Sequence, residues 1–267
     1  MSAQGHPYPG TGAHIGSYYA ASANPAPKRP ELTGTQSIDV CVVGAGYTGL
    51  STALHLAEKG HKIAIIEGAL VGWGASGRNG GQIVNGLNAS LGTIERRFGP
   101  QTAHAVGKML QEGGKIIRDL IRRYDIKCDL KEGNLFAAYT SKQMLELEAK
   151  KELWRKHGMD DHEMVDKAGM HKHVQSDVYQ GGMIDHSGGH MHPLNLALGE
   201  AAAFESLGGI IYEHSPVISV SQGASPRVTT PKGEMRCKTL VLCGNAYLGH
   251  VVPELTWRIM PFSTQVM

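Results

Sequence analysis

Cysteines and long apolar runs are scarce in this chain, and each scarcity argues against something. The four cysteines among 267 residues, Cys41, Cys128, Cys237 and Cys243, form no CxxC pair. That speaks against a disulfide scaffold or a thiolate metal finger and predicts free thiols, with Cys41 and Cys243 inside apolar strands. No stretch reaches the roughly 18 apolar residues of a membrane helix, and the opening MSAQGHPYPGTGAHIGSYYA has neither a basic start nor an apolar signal core. No membrane partner and a cytoplasmic address are expected. Charge is also sparse, at 19% of residues with a net of +2, and Arg96-Arg97 and Arg122-Arg123 sit among acids and apolar residues at helical spacing. Such pairs read as solvated helix faces, so no nucleic acid is expected. There is no HExxH frame, no heptad pattern and no internal repeat. The histidines His171, His173, His186, His190 and His192 have spacings a metal could use, but two glycines separate His186 from His190 and no acid partner is evident. The expectation is no metal, with the later histidines shaping a turn before a helix at Pro193.

Glycine is abundant instead, and unevenly placed. Residues 71–86, VGWGASGRNGGQIVNG, hold six glycines and one charge, Arg78. Glycine costs roughly 0.5–1 kcal/mol more than alanine to order, so an ordered loop of this composition implies that something approaches its backbone closely.

Residues 1–36 are rich in Gly, Pro, Ser and Ala without periodicity and read as an arm whose one adhesive element is Tyr18-Tyr19. IDVCVV (38–43) is a β-branched apolar run, hence a strand buried on both faces. Leu50, Ala53, Leu54 and Ala57 then fall on one helical face until Gly60, and HKIAIIE (61–67) is a second buried strand. A long amphipathic helix is predicted over 101–124, with Met109 and Leu110 as core. A strand is predicted over 134–140, followed by a charged helix capped by Ser141 and reaching towards His157, and residues 158–185 read as irregular. Pro193 opens a helix that Gly208-Gly209 end. GIIYEH follows as a third parallel-type strand, VISVSQ, RVTT and GEMRC as a small antiparallel meander, and KTLVLCGNAY as an apolar strand entering a glycine turn.

The chemistry lies in GAGYTG. Gly44, Gly46 and Gly49 match GxGxxG between a strand and a helix, and Glu67 closes the next strand eighteen residues past Gly49. This is the dinucleotide-binding fingerprint: Gly44 for the tight turn, Gly46 for approach of a diphosphate, Gly49 for helix–strand packing, and Glu67 for the adenosine ribose. Tyr47 and Thr48 open the helix, whose N-terminal N–H groups and dipole favour an anion. The fingerprint alone leaves NAD and FAD open. An NAD-type unit would continue into another helix and parallel strand, whereas Glu67 is followed within five residues by the glycine loop. Gly77, Asn79, Gly80, Gly81 and Gln82 offer main-chain N–H groups to a flat flavin ring, with Arg78 available for a phosphate or the ring edge, so FAD is favoured.

Five stretches carry a family resemblance: SYYAASAN (17–24), DVCVVGAGYTGLSTALHLAEKG (39–60), GWGASGRNGGQ (72–82), HSGGHMHPLNLALGEA (186–201) and CGNAYLG (243–249). The chain resembles the FAD-dependent amine and amino-acid oxidases of the D-amino-acid oxidase and glycine/sarcosine oxidase superfamily, and within it looks most like the bacterial gamma-glutamylputrescine oxidases. The resemblance implies an α/β fold with a discontinuous Rossmann-like FAD-binding domain, a small antiparallel meander and an incomplete α+β substrate domain. The implied boundaries are an arm (1–36), the first FAD-binding part (37–90), a helical substrate-side segment (91–185), the second FAD-binding part (186–250) and the start of a truncated substrate domain (251–267). It also implies that the main chain of Val217 meets the adenine and that Gly244 lies beside the diphosphate. Family members continue past this point into more sheet and a glycine-rich closing stretch, and PFSTQVM ends in a strand-like run without turn or cap. An N-terminal portion of a larger enzyme is therefore expected.

The implied reaction is oxidation of a C–N bond of a primary or secondary amine by hydride transfer to flavin, with imine hydrolysis and reoxidation by molecular oxygen to give hydrogen peroxide. The partners expected are a small-molecule amine and oxygen; no catalytic residue is assigned. Two rival readings stand beside it: a truncated, non-catalytic nucleotide-binding module, and an NAD-dependent dehydrogenase.

Overall fold

The computed structural model describes residues 12–248, 251–260 and 262. In chain order its elements are α1 (Tyr18–Ala21), β1 (Gly34–Val43), α2 (Tyr47–Glu58), β2 (Ile63–Ile66), a 3-10 turn (Ala75–Gly77), β3 (Gln82–Ile83), α3 (Leu91–Phe98), α4 (Pro100–Arg123), β4 (Lys131–Ala138), α5 (Ser141–Lys156), β5 (His162–Asp166), α6 (Lys167–Met170), β6 (Gly181–His190), α7 (Pro193–Ser206), β7 (Ile210–Tyr212), β8 (Ser219–Ser221), β9 (Arg227–Thr229), β10 (Gly233–Leu242), a 3-10 turn (Asn245–Leu248) and α8 (Pro253–Thr256). The run PFSTQVM lies, apart from Phe262, outside the described residues, as does Gly249. The chain forms two compact units, one of residues 1–80, 124–128 and 192–267, the other of 81–123 and 129–191.

The first unit is built on a six-stranded sheet in the order β7-β2-β1-β10-β9-β8. β7, β2, β1 and β10 are parallel, and β10, β9 and β8 form an antiparallel meander. Buried β-branched runs explain the parallel part: Ile63–Ile66 is wholly buried, and so are the last four residues of β1. GEMRC and KTLVL, expected as separate segments, form the single strand β10, which ends at Leu242 so that Cys243 lies just past the strand rather than inside it, with β1 along one edge and β9 along the other. All four cysteines are free thiols.

The arm is not loose where it is described. Arg29 is buried and its guanidinium spans Glu205 (2.7 Å) and Glu213 (3.3 Å). Leu32 is fully buried and donates its N–H to Ser215 Oγ at 2.8 Å.

The second unit carries a sheet in which β6 pairs antiparallel with β3, β4 and β5. Residues 158–185 are therefore not irregular, since they contain β5, α6 and the start of β6. The cap of α5 is Thr140, one residue before Ser141, in a capping box with Gln143. Met109 is exposed, and only Leu110 of that pair packs on the core of Leu91, Ala103, Trp154 and Met183. Arg96, Arg97, Arg122 and Arg123 are exposed on α3 and α4, as expected. Among the described residues no helix is long and apolar enough to cross a membrane.

Candidate cofactor site

The parallel strands β1 and β10 end side by side, and both run into glycines, Gly44 and Gly244. Gly44 has φ +104°, and a Cβ there would meet the carbonyl of Cys243 at 2.7 Å. Gly49 sits in the first turn of α2 where a Cβ would overlap Gly44 O, so helix and strand pack through a bare backbone. At Gly46, the N-cap of α2, a Cβ would stand 2.9 Å from Ser76 Oγ. Each glycine of the fingerprint thus has a separate steric reason.

These residues open onto a narrow cleft lined by Gly44, Gly46, Tyr47, Thr48 and Glu67, by residues 73–76 of the glycine loop, and by residues 243–245 and Tyr247. The 3-10 turn brings Ser76 under α2, where its Oγ accepts the Tyr47 N–H at 3.0 Å. Gly72 N–H donates to Ala45 O at 2.9 Å. The two glycine turns are thereby bonded to each other around the cleft.

Glu67 is buried, and its carboxylate accepts N–H groups from Ala45 (2.7 Å) and Ala69 (2.9 Å). Burial pushes its carboxyl above the usual range, while those two bonds oppose the shift. It both braces the turn and faces the cleft. Arg78 lies with its guanidinium carbon 4.4 Å from the centre of the Trp73 ring, and its buried Nη2 finds no hydrogen-bond partner among the described residues. Trp73 meets Tyr247 edge-on at 5.8 Å. His14 is held below the ordinary imidazole range first by burial and then by Arg78.

The remaining expected residues are dispersed. Asn79 donates to Ser76 O at 2.8 Å, which closes the loop on itself. Gly77 is buried, and a Cβ there would overlap Gly72 O and crowd Leu194, so internal packing accounts for its bareness. Gly80 is exposed. Gly81 and Gln82 belong to the second unit, where Gly81 O accepts the Met191 N–H at 2.8 Å and Gln82 pairs with His190. Val217 is partly buried against the sheet core between β7 and β8 and does not line the cleft. Trp73, Gly74, Ala75, Ser76, Asn245 and Tyr247 also line the cleft, as does Cys243, which the sequence marks only as a free thiol; all lie within GWGASGRNGGQ and CGNAYLG. His186 and His190 lie on β6, and His192 caps α7. Among the described residues no three His, Cys, Asp or Glu side chains are grouped to hold a metal.

The donor set fits a dinucleotide diphosphate. Glycine-rich turns and a helix N-terminus would face the diphosphate, the buried Glu67 carboxylate two strand-widths from the β10 turn is an acceptor for ribose hydroxyls, and Arg78, stacked on Trp73 of the lining, keeps a buried Nη2 without a partner among the described residues. The fold and cleft define the chain as a dinucleotide-binding α/β protein of the flavoprotein type. Residues 39–267 match the FAD-dependent oxidoreductase family known as DAO, and the chain belongs to that family, whose cofactor is FAD. The chain is 48% identical over 255 residues to the gamma-glutamylputrescine oxidoreductase of Escherichia coli K12, covering 95% of this chain and 60% of that protein. Among solved structures it is similar to glycine oxidase from Geobacillus kaustophilus (TM-score 0.65, 22% identity, covering 83% of this chain and 59% of that one). It is also similar to the FAD-bound L-alpha-glycerophosphate oxidase of Mycoplasma pneumoniae (TM-score 0.65, 19% identity, 82% and 57%). The chain thus spans about 60% of the length of the E. coli relative.

Proposed function

We propose that this chain is the cofactor-holding part of an FAD-dependent enzyme that oxidises a C–N bond of a primary or secondary amine of the gamma-glutamylputrescine kind. The observation that carries the reading is the cleft in which two glycine-rich turns are bonded to each other, Tyr47 N–H to Ser76 Oγ and Gly72 N–H to Ala45 O, beside the buried carboxylate of Glu67. The extent of the similarity to the E. coli oxidoreductase supports the substrate class. In this reading Gly44, Gly46, Tyr47, Thr48 and Gly244 lie along the diphosphate, and Gly49 lets α2 approach it. Glu67 takes the ribose hydroxyls and the Val217 main chain the adenine. Arg78 serves a phosphate or the ring edge, beside Gly77, Asn79 and Gly80.

Bound FAD supplies the acceptor for an electron pair. The chain's own part is to bind, orient and exclude water. A substrate amine gives up hydride from its α-carbon only when neutral, and an apolar pocket lowers its pKa without a dedicated base. Water then hydrolyses the imine to an aldehyde and ammonia, or to a smaller amine from a secondary substrate. Molecular oxygen takes the electron pair and two protons and leaves as hydrogen peroxide. The four free thiols fit a cytoplasmic enzyme.

The test is made on the full-length protein purified without added cofactor. Visible flavin bands that bleach on anaerobic mixing with gamma-glutamylputrescine, and return with an equivalent of peroxide on admitting oxygen, are expected. A colourless protein that binds ADP alone would instead favour a nucleotide-binding module without catalysis.

A further inference from the structure

Glu213 is the first residue past β7, and it is buried. One oxygen of its carboxylate, Oε1, accepts donors from two distant segments: the backbone N–H of Val71 at 2.8 Å and Nη1 of Arg29 at 3.3 Å. Val71 opens the glycine-rich stretch 71–86, and its neighbour Gly72 is bonded to Ala45 of the first glycine turn. Arg29 belongs to the N-terminal arm. Its guanidinium is gripped as a fork by Glu205 of α7, Nε to Oε1 at 2.7 Å and Nη2 to Oε2 at 2.9 Å. The Glu213 carboxylate therefore joins the arm to the root of the cofactor loop.

The backbone repeats the connection. Glu213 N–H donates to Pro30 O at 3.0 Å, and Leu32 N–H donates to Ser215 Oγ at 2.8 Å. On the other side His214 N–H donates to Ala69 O at 2.9 Å and Ser215 N–H to Glu67 O at 2.8 Å. Residues 213–215 are thus laced both to residues 29–32 and to residues 67–71. Glycine is costly to order, so fixed points at the root of a loop with six glycines decide how much of that cost falls on a ligand in the cleft. A free glutamate side chain would give up rotamer freedom to reach Val71; the Arg29 fork already holds it.

We infer that Glu213 is a positioning residue for the cofactor loop and that Arg29 of the arm locks it in place. Together they set the backbone at Val71 and, through Gly72 and the 3-10 turn, the place of Ser76 in the cleft before a cofactor arrives. The consequence for FAD rests on the cofactor-holding role proposed above; the preset loop itself does not.

The test uses the full-length enzyme and its deflavinated form. Glu213→Leu removes the acceptor of Val71 N–H, which is buried, and leaves no unpaired charge because Arg29 keeps Glu205. FAD affinity, titrated by flavin fluorescence, is expected to fall about tenfold, the cost of one orphaned buried donor. Hydrogen exchange of the deflavinated protein should quicken in the peptide covering residues 68–77 and stay level in β1. Glu213→Gln is the conservative rescue: both bonds end on a single oxygen, which an amide supplies, so affinity and exchange should return to wild-type values. Arg29→Met in the Glu213→Gln background removes the lock without stranding a charge at residue 213, and Glu205 reaches solvent. Affinity is expected to fall about threefold, the worth of freezing one side chain. Wild-type affinity and exchange in Glu213→Leu would overturn the positioning role, as would a loss of protection spread equally over β1. No effect of Arg29→Met would overturn the lock. Quicker exchange with unchanged FAD affinity would keep the preset loop and overturn its link to the cofactor. A wild-type protein that binds no flavin would sink the FAD reading and leave the exchange comparison to decide the loop.

Discussion

The backbone N–H of Tyr47 is bonded to the side chain of Ser76 over 3.0 Å, so the helix after the first glycine turn leans on the loop that forms the second. The hydroxyl stands at the N-terminus of α2, where a diphosphate oxygen would also be drawn. Ser76→Ala removes that hydroxyl while leaving the Gly72 to Ala45 bond in place. The expected outcome in the full-length enzyme is an FAD affinity lower by about 1 kcal/mol, roughly fivefold, with thermal stability little changed. Titration of deflavinated protein by flavin fluorescence checks it. An unchanged affinity would detach the second loop from the cofactor.

Two glycines of the fingerprint are predicted to fail in different ways. Gly49→Ala would drive a methyl into Gly44 O, which is backbone and cannot yield, so the strand–helix packing of the first unit breaks. A loss of about 1–3 kcal/mol or more in stability is expected, with or without flavin. Gly46→Ala meets only Ser76 Oγ, at 2.9 Å, and that side chain can rotate away. The apo fold should persist while FAD binding falls, as read by thermal melting of the deflavinated protein beside a flavin titration. Equal melting of both variants would contradict the separation of roles.

The parts of the fold that could be read from sequence are those where one signal dominates. Val40–Val43 and Ile63–Ile66 are buried on both faces, so they need no alternation and show as continuous apolar runs ending in glycine or Glu67. β6 hides the same information. Its residues GGMIDHSGGH carry four glycines because neighbouring chain comes too close for side chains, Phe136 O at Gly182 and Lys131 O at Gly189 among them, and those glycines erase the apolar pattern. β5 was lost with it, since HEMVD alternates only weakly and is held by its pairing with β6. α3, only eight residues long, shows in the sequence no further than the helical spacing around Arg96-Arg97, although Ser90 caps it and Leu91 and Ile94 form its buried face. In the cleft, local spacing revealed Gly44, Gly46, Gly49 and Glu67. Ser76 and Tyr247 arrive there through the 3-10 turns and the β1–β10 pairing, which no local pattern announces.

Glu67 is expected to matter for structure as well as for cofactor. Its carboxylate satisfies two buried N–H groups, and Glu67→Ala leaves both without a partner. Each orphaned donor costs about 1–3 kcal/mol, so the apo protein should melt earlier. FAD affinity in the full-length enzyme should also fall far more than in Cys41→Ala, which removes only a sulfur from the sheet core. Equal losses of affinity in the two variants would remove the ribose role given to Glu67.

Glu200 makes a pH-dependent prediction. It lies on α7 at 3% exposure, its Oε2 finds no hydrogen-bond partner among the described residues, and burial lifts its pKa from 4.5 to about 8. In the unfolded chain the carboxyl is ionised above about pH 4.5, whereas the folded chain keeps it protonated up to about pH 8. The folded state therefore holds the extra proton, and this group's contribution to stability falls as pH rises across that window and levels off above it. Glu200→Gln carries no titratable proton in either state. Its stability relative to the wild type should improve by at most about 3–4 kcal/mol between pH 5 and pH 8, since one proton is worth about 1.4 kcal/mol per pH unit. Denaturant unfolding of both proteins at the two pH values measures the change, and a difference that stays constant with pH would mean that Glu200 is already ionised in the folded chain.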